Sequence, residues 1–188
     1  VIYLIARPVT QLYSTPEKSP ITSWAYSILG QIYVVLPLAL LGVWGYKSDY
    51  QLFMNTEYLL MALFVFVWTN DTGAYIVGCT LGKHRLFERI SPKKSWEGFF
   101  GGLAFCIILA SLANYIIPGM LSTAQWIGMG ILTSIFSTWG DLCESLLKRT
   151  AGVKDSGKIL PGHGGILDRF DSELIASPVI FIYLTFVL

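Results

Sequence analysis

Apolar runs about as long as a bilayer is thick dominate this sequence and restrict its fold more than any other feature. A helix needs about 20 mainly apolar residues to cross the hydrocarbon core. Of the 188 residues, 54% are hydrophobic and 13% are charged, and the mean hydropathy is +0.59. We predict an all-α fold, a polytopic membrane helical bundle, with spans near 26–46, 57–79, 98–117, 121–143 and 174–188.

A single membrane domain is expected over residues 1–188, because the sequence has no internal repeat and no low-complexity linker. Residues 1–6 look like the end of an earlier span, and the chain begins with Val1 rather than Met. We therefore expect that N-terminal spans of a longer protein are missing. No basic start followed by a short apolar core and a cleavage site is present, so a cleavable signal peptide is not predicted.

Most of the charge lies in two segments, 82–98 and 148–173. Both segments are rich in Lys and Arg, which are in excess in the cytoplasmic loops of membrane proteins. Two predicted spans separate the segments, so both should lie on the same side of the membrane. The pattern predicts a multi-pass protein of the cell membrane whose two charged loops face the cytoplasm.

Two carboxylates, Asp71 and Asp141, lie within predicted spans. A charge at bilayer depth costs about 2.5–3.5 kcal/mol even on lenient scales, so it normally faces a polar cavity. The alternative is a carboxylate that a neighbouring helix satisfies or that the interface keeps wet. If the helix continues through Lys148, then Asp141, Ser145 and Lys148 follow at i, i+4 and i+7 and project from one face. An acceptor, a hydroxyl and a cation would then line one wall.

The loop that follows combines three kinds of group suited to a metal-bound polyphosphate. Cations can hold phosphate, the GHGG turn at 162–165 can direct backbone N–H groups at an anion, and carboxylates can hold Mg²⁺. A solvated charged loop is the alternative. The segment 152–159 is not a P-loop, because Ile159 stands where Ser or Thr is required. The cations are Lys148, Arg149, Lys154, Lys158 and Arg169, and the acids are Asp155, Asp168 and Asp171.

These residues carry a resemblance to the phosphatidate cytidylyltransferase (CDP-diacylglycerol synthase) family. The family signature runs S-x-x-K-R-x4-K-D-x-G, two residues, an apolar residue, P-x-H-G-G and x-x-D-R-x-D, and the chain matches it from Ser145 to Asp171. DTGAY at 71–75 and SPKKSWEG at 91–98 also resemble family segments. The likeness covers about 57–188, which we interpret as the catalytic part.

The resemblance implies a nucleotidyltransferase that condenses CTP with phosphatidate to CDP-diacylglycerol and pyrophosphate in phospholipid biosynthesis. The lipid phosphate has a second pKa of about 6 by analogy with phosphorylated side chains, so it is mostly dianionic at neutral pH and needs no strong base. His163 is open to roles as base, metal ligand or phosphate donor, and we expect it to be a donor. Mg²⁺ is the expected cofactor, with a second cation possible. The implied metal ligands are Asp141 and Asp168, then Asp71 and Asp171; the implied catalytic groups are Asp141, Asp168, Lys148, Arg149 and His163; the implied substrate contacts are Lys93, Lys94, Ser145, Lys154, Asp155, Gly164, Gly165 and Arg169.

Two alternatives stay open at this point. One is a related enzyme, such as a CTP-dependent polyprenol or dolichol kinase or a CDP-archaeol synthase-like enzyme. The other is an ion or solute transporter, because intramembrane carboxylates also mark ion paths, although inverted repeats would then be expected. The expected partners are CTP, phosphatidate and the lipid bilayer, with a homodimer possible and no nucleic acid.

Overall fold

The structure is a computed structural model that describes residues 2–13, 19–45, 56–159 and 164–188. The described residues form a helical bundle with one short β-hairpin, so the prediction of an all-α membrane bundle is confirmed. The elements are α1 (Ile2–Leu12), α2 (Pro20–Gly30), a π-helical segment (Gln31–Val35), α3 (Leu36–Gly45), α4 (Thr56–Leu81), β1 (Arg85–Phe87), β2 (Ser91–Ser95), α5 (Trp96–Ile116), α6 (Thr123–Thr150) and α7 (Leu167–Val187).

Four helical stretches of the described chain are long and apolar enough to cross a membrane: Pro20–Trp44, Glu57–Leu81, Trp96–Ile116 and Leu167–Val187. The prediction around 121–143 differs, because α6 is 28 residues long but is not among these four. Its many polar side chains lower its hydropathy. Several of these side chains are buried inside the bundle. They are Thr133, Ser134, Ser137 and Thr138.

Consecutive helices pack side by side: α4 on α5, α5 on α6 and α6 on α7, while α3 lies against α7. Trp44 of α3 stacks on Phe181 of α7 with ring centroids 5.7 Å apart. Glycines let the α4 and α5 backbones approach closely, as is common between membrane helices. An added Cβ at Gly101 would lie 2.5 Å from the Cβ of Val77. Packing therefore accounts for this glycine.

The turn between α5 and α6 reverses the chain and brings the start of α5 beside the end of α6. A capping box begins α6: the Gln125 N–H donates to Ser122 Oγ at 3.3 Å, and the Ser122 N–H donates to Gln125 Oε1 at 2.7 Å. Such reciprocal bonds satisfy two backbone donors that the helix cannot pair internally. The charged segments before α5 and after α6 consequently share one end of the bundle.

Apolar and polar residues are divided along the length of the bundle. Leu63, Met129 and Ile180 are fully buried, and Phe66 packs against Trp126 with ring centroids 6.4 Å apart. Most buried polar side chains lie towards the other end, in the second half of α4, where α5 begins, from the middle to the end of α6 and in the first half of α7. Among the described residues they are Asn70, Ser95, Thr133, Ser134, Ser137, Thr138, Glu144, Ser172, Glu173 and Ser177.

The β-hairpin covers this polar end. Its strands pair antiparallel, with Arg85 opposite Ser95 and Phe87 opposite Ser91. Phe87 packs edge-on against Trp139 of α6, with ring centroids 6.1 Å apart. This contact packs the hairpin against α6.

Candidate functional site

A cleft of about 230 Å³ opens at the polar end, between α4, the hairpin, α5 and α6. Pockets that enclose a small ligand have roughly 300–1,000 Å³, so this cleft suits the charged part of a larger ligand. Three predicted site residues line this cleft: Asp71 from α4, and Lys93 and Lys94 from the hairpin. The other lining residues are Asn70, Ala74, Tyr75, Gly78, Leu86, Ser95, Gly98, Phe99 and Thr138.

An ion pair joins the hairpin to α6 beside the cleft. Lys94 Nζ lies 2.5 Å from Asp141 Oδ2, and the two side chains are 27% and 33% exposed. The second carboxylate oxygen of Asp141 accepts a hydrogen bond from Ser145 Oγ at 3.2 Å. Solvent and ligands can still reach this pair, because neither side chain is fully buried. Lys94 is therefore placed to exchange a carboxylate partner for a phosphate.

A second ionic cluster is more deeply buried and links α6 to α7. Lys148 Nζ donates to Asp168 Oδ1 at 2.8 Å and also contacts the Glu144 carboxylate one turn earlier on α6. The side chains of Lys148, Asp168 and Glu144 are only 15%, 11% and 1% exposed. Removing Lys148 would leave two buried carboxylates without their cation, which is strongly destabilising.

Asp168 also organises the loop between α6 and α7. Its Oδ2 accepts from the Ser156 N–H at 2.9 Å, from Ser156 Oγ at 3.0 Å and from the Gly165 N–H at 2.7 Å. The sequence pattern places Asp168 in the loop, which is wrong, because α7 begins at Leu167 and includes it. An acid in the first turn is favourable because the helix dipole is positive there. Asp171 also lies within α7, so the predicted start of the last span at 174 was too late.

Gly164 and Gly165, the last two residues of the GHGG turn, make room for these contacts. Gly164 has a φ of 82°, a region that side chains avoid. An added Cβ there would lie 2.7 Å from Asp168 Oδ2, and one at Gly165 would collide with Ser156 Oγ. The Gly165 N–H donates to Asp168, so the glycines serve at least the internal structure of the loop.

Four of the remaining predicted residues are exposed. Arg149, at the end of α6, is exposed and donates from Nη1 to the Val153 carbonyl at 3.5 Å. Lys154, Asp155 and Arg169 are exposed on the loop and on the first turn of α7. His163 lies outside the described residues.

No group of three or more His, Cys, Asp and Glu converges closely enough to hold a metal ion in the part of the chain that the structure describes. The donor chemistry nevertheless suits a hard cation, because the carboxylate of Asp141 is partly exposed beside the cleft that Asp71 lines. Mg²⁺ commonly takes one or two protein carboxylates and completes its shell with water and substrate phosphate. The carboxylates therefore fit a cation that arrives with a phosphate ligand.

The sequence analysis missed two residues of this region, Asn70 and Thr138. Both line the cleft, and Asn70 Nδ2 donates to Thr138 Oγ1 at 3.3 Å. Asn70 directly precedes Asp71 in an apolar run, which is the signal that could have found it. Thr138 gives no such signal, because hydroxyls are common in membrane helices and satisfy themselves on their own backbone.

Fold and site together define a class: a multi-pass α-helical membrane protein with a charged cleft at one end of its bundle. The model of the cytidylyltransferase family matches residues 1–187. The chain belongs to this family. The match extends over α1 to α3, beyond the segments that carry the motifs.

Curated relatives agree with this assignment. The chain is 41% identical over 160 residues to a phosphatidate cytidylyltransferase of Staphylococcus aureus (strain COL). It is 41% identical over 159 residues to one from Staphylococcus haemolyticus and 40% identical over 159 residues to one from Staphylococcus epidermidis. Each match covers 85% of this chain and 61% of the relative. The chain thus spans about 61% of the length of the relatives it matches.

Proposed function

We propose that this chain provides the substrate cleft of a phosphatidate cytidylyltransferase, an integral-membrane enzyme that condenses CTP with phosphatidate. The products are CDP-diacylglycerol and pyrophosphate. The observation that carries the proposal is the contact between Lys94 and Asp141 beside the cleft. It joins the charged segment 82–98 to the part of α6 that leads into the charged segment 148–173. Family membership and the printed names of the relatives support the same reaction.

The reaction needs little proton chemistry. An oxygen of the lipid phosphate forms a bond to the α-phosphorus of CTP, and the bond from that phosphorus to the pyrophosphate oxygen breaks. The attacking phosphate is already mostly dianionic near pH 7, since its second pKa is about 6. Catalysis must instead bring two anions together and stabilise the charge that develops on pyrophosphate.

The lysines of the cleft are suited to that task. Lys93 and Lys94 lie on the hairpin wall, and the Lys94 ammonium can leave Asp141 for an incoming phosphate. Lys148 is held between Glu144 and Asp168, so it would act as a fixed charge. The Lys94 ammonium would thereby neutralise part of the phosphate charge, while Lys148 stays a predicted catalytic group.

We further propose Mg²⁺ as the cofactor, with Asp141 as its first protein ligand. Asp71, which lines the cleft, Asp171 and Asp168 stay predicted ligands. When bound, the cation would neutralise phosphate charge and orient the pyrophosphate leaving group. The exposed edge of Asp141 supports this role, because a metal–nucleotide complex can reach it without opening the bundle.

The cleft is proposed to face the cytoplasm, where CTP is available. Both charged segments are rich in Lys and Arg, as cytoplasmic loops are. The contact between Lys94 and Asp141 supports a shared side, since it requires the end of β2 and the end of α6 to be adjacent.

The reaction can be tested directly with the purified protein in nanodiscs, labelled CTP, Mg²⁺ and phosphatidate. Transfer of the label from the α-phosphate to a lipid that contains the cytidylyl group is the expected result. A parallel reaction with CTP labelled at the γ-phosphate separates a lipid kinase, which would transfer that label instead to a polyprenol or dolichol. An archaeal ether lipid as acceptor tests the CDP-archaeol alternative. Transfer only from the γ-phosphate, or no transfer together with ion flux in vesicles, would refute the proposal.

A further inference from the structure

Asn70 of α4 is held by the structure in a way that ordinary membrane packing does not require. Its side chain is 1% exposed and forms three hydrogen bonds with side chains of α6. Ser134 Oγ donates to Asn70 Oδ1 at 2.6 Å. Asn70 Nδ2 donates to Ser137 Oγ at 3.2 Å and to Thr138 Oγ1 at 3.3 Å. Both ends of the carboxamide are therefore bound to the same helix.

The donors and acceptors around position 70 require a carboxamide side chain there. The hydroxyls of Ser137 and Thr138 donate to the Ser134 carbonyl at 3.2 and 3.0 Å. Each hydroxyl has one hydrogen, so its oxygen is left as an acceptor towards Asn70. An aspartate at position 70 would present oxygen to these two acceptors. The arrangement thus requires a donor on one side and an acceptor on the other.

Asn70 also contacts the third helix of the site. An added Cβ at Gly102 of α5 would lie 2.5 Å from Asn70 Oδ1 and 2.7 Å from the Asn70 carbonyl oxygen. The absence of a side chain at Gly102 lets α5 cover the carboxamide. Asn70 therefore lies where α4, α5 and α6 meet, and its polar atoms are shielded from lipid.

This junction forms the floor of the cleft. Asn70 and Thr138 both line it, and Asp71 is the next residue on α4. Asp141 lies one helical turn beyond Thr138 on α6 and bears the ion pair with Lys94. The carboxamide of Asn70 is already occupied by α6, so its contribution to the cleft is to fix the helices that carry these carboxylates.

We propose that Asn70 is a positioning residue that locks α4 to α6. It thereby fixes Asp71, which lines the cleft, relative to Asp141, which lies beside it. The effect on catalysis rests on the proposed cytidylyltransferase function, whereas the effect on helix geometry does not. A residue with this role has two signatures. Its loss changes the spacing of α4 and α6, and its catalytic effect requires Asp71.

The first experiment measures geometry without reference to activity. Spin labels on cysteines introduced at Ile76 and Leu147, both 45% exposed, report the distance between α4 and α6 in a background without Cys79, Cys106 and Cys143. Asn70→Leu, and the nearly isosteric Asn70→Asp, should shift or broaden the distance distribution. Tyr183→Phe is the matched control, because it removes a 2.9 Å bond from α7 to the Gln125 carbonyl of α6 outside the cleft. An unchanged distribution in both Asn70 variants would overturn the proposal.

The second experiment asks whether Asn70 acts through Asp71. Asn70→Leu should lower kcat by about tenfold or more, as misplacement of a reacting group does, with the KM values for CTP and phosphatidate changed far less. The double variant with Asp71→Asn should be no slower than Asp71→Asn alone, because coupled residues are not additive. Multiplied effects would indicate a general structural role and contradict the proposal.

A milder variant keeps the proposal testable if the Asn70 variants fold poorly. Ser134→Ala removes only the donor to Asn70 Oδ1 and leaves the Ser134 carbonyl that Ser137 and Thr138 use. It should shift the distance distribution in the same direction by a smaller amount, and no shift would count against the lock. If the wild type did not transfer cytidylyl groups, the proposed function would fail while the distance measurement still decided the role of Asn70 in the fold.

Discussion

Lys94 of the hairpin and Asp141 of α6 form an ion pair with 2.5 Å between Nζ and Oδ2. The side chain of Lys94 is 27% exposed and that of Asp141 is 33% exposed. An exposed pair contributes little to stability, typically under about 1 kcal/mol. Its position beside the cleft therefore points to function rather than to folding.

This ion pair gives the first prediction. Lys94→Gln should lower kcat/KM for CTP by roughly 10²–10³-fold, the usual effect of removing one group that stabilises developing charge. Thermal stability should change little, because the pair is exposed. Steady-state kinetics and a thermal unfolding curve in detergent provide the measurements. Lys83→Gln is the control, since it removes an exposed cation just before the hairpin without touching the cleft. Equal losses in both variants would indicate a general charge effect instead.

The two leading metal candidates should behave differently when each is replaced by asparagine. Asp141→Asn should lower kcat by at least about 10²-fold and leave stability nearly intact, because Asp141 is partly exposed. Asp168→Asn should lower activity and also loosen the loop, since Lys148, Ser156 and Gly165 all donate to Asp168. Activity across a Mg²⁺ titration and limited proteolysis of the loop distinguish the two effects. Near-normal turnover of both variants at limiting Mg²⁺ would refute the metal assignment.

Glycine 164 provides a test of how strictly the loop must close on Asp168. Gly164→Ala places a side chain at a φ of 82° and a Cβ 2.7 Å from Asp168 Oδ2. Gly119→Ala is the matched control, because Gly119 has a φ of 79° but nothing within 4 Å of an added Cβ. Both variants should carry about 1–2 kcal/mol of backbone strain. Only Gly164→Ala should also lower kcat, and similar kinetics for the two variants would show that the loop tolerates displacement of Asp168.

The helices that face lipid were predictable because a bilayer imposes a minimum apolar length. The predicted spans 57–79 and 98–117 agree closely with Thr56–Leu81 and Trp96–Ile116. The start of α7 was not predictable by this reasoning, because the charges of Asp168 and Asp171 made its first turn resemble a loop. The paired strands 85–87 and 91–95 are too short for an alternating pattern to identify them.

For the site, residues on one helix could be grouped from the sequence, but their partners on other elements could not. Motif spacing grouped Asp141, Ser145 and Lys148 on α6, and the structure adds the contact between Ser145 and Asp141. The partners of these residues were hidden because they come from other elements: Lys94 from β2 and Asp168 from α7. Spacing along one helix cannot reveal a neighbour that only packing brings near.

The last prediction concerns the side of the membrane on which the cleft lies. Single cysteines at Arg89 and Lys158, in a background without the three native cysteines, should resist an impermeant thiol reagent in intact cells and react after the membrane is opened. A cysteine at Thr123, at the start of α6 and at the opposite end of the bundle, should react in intact cells. The expectation follows from the excess of Lys and Arg in both charged segments. Labelling of position 89 from outside, together with protection of position 158, would place the two segments on opposite sides of the membrane. That result would be incompatible with the contact between Lys94 and Asp141.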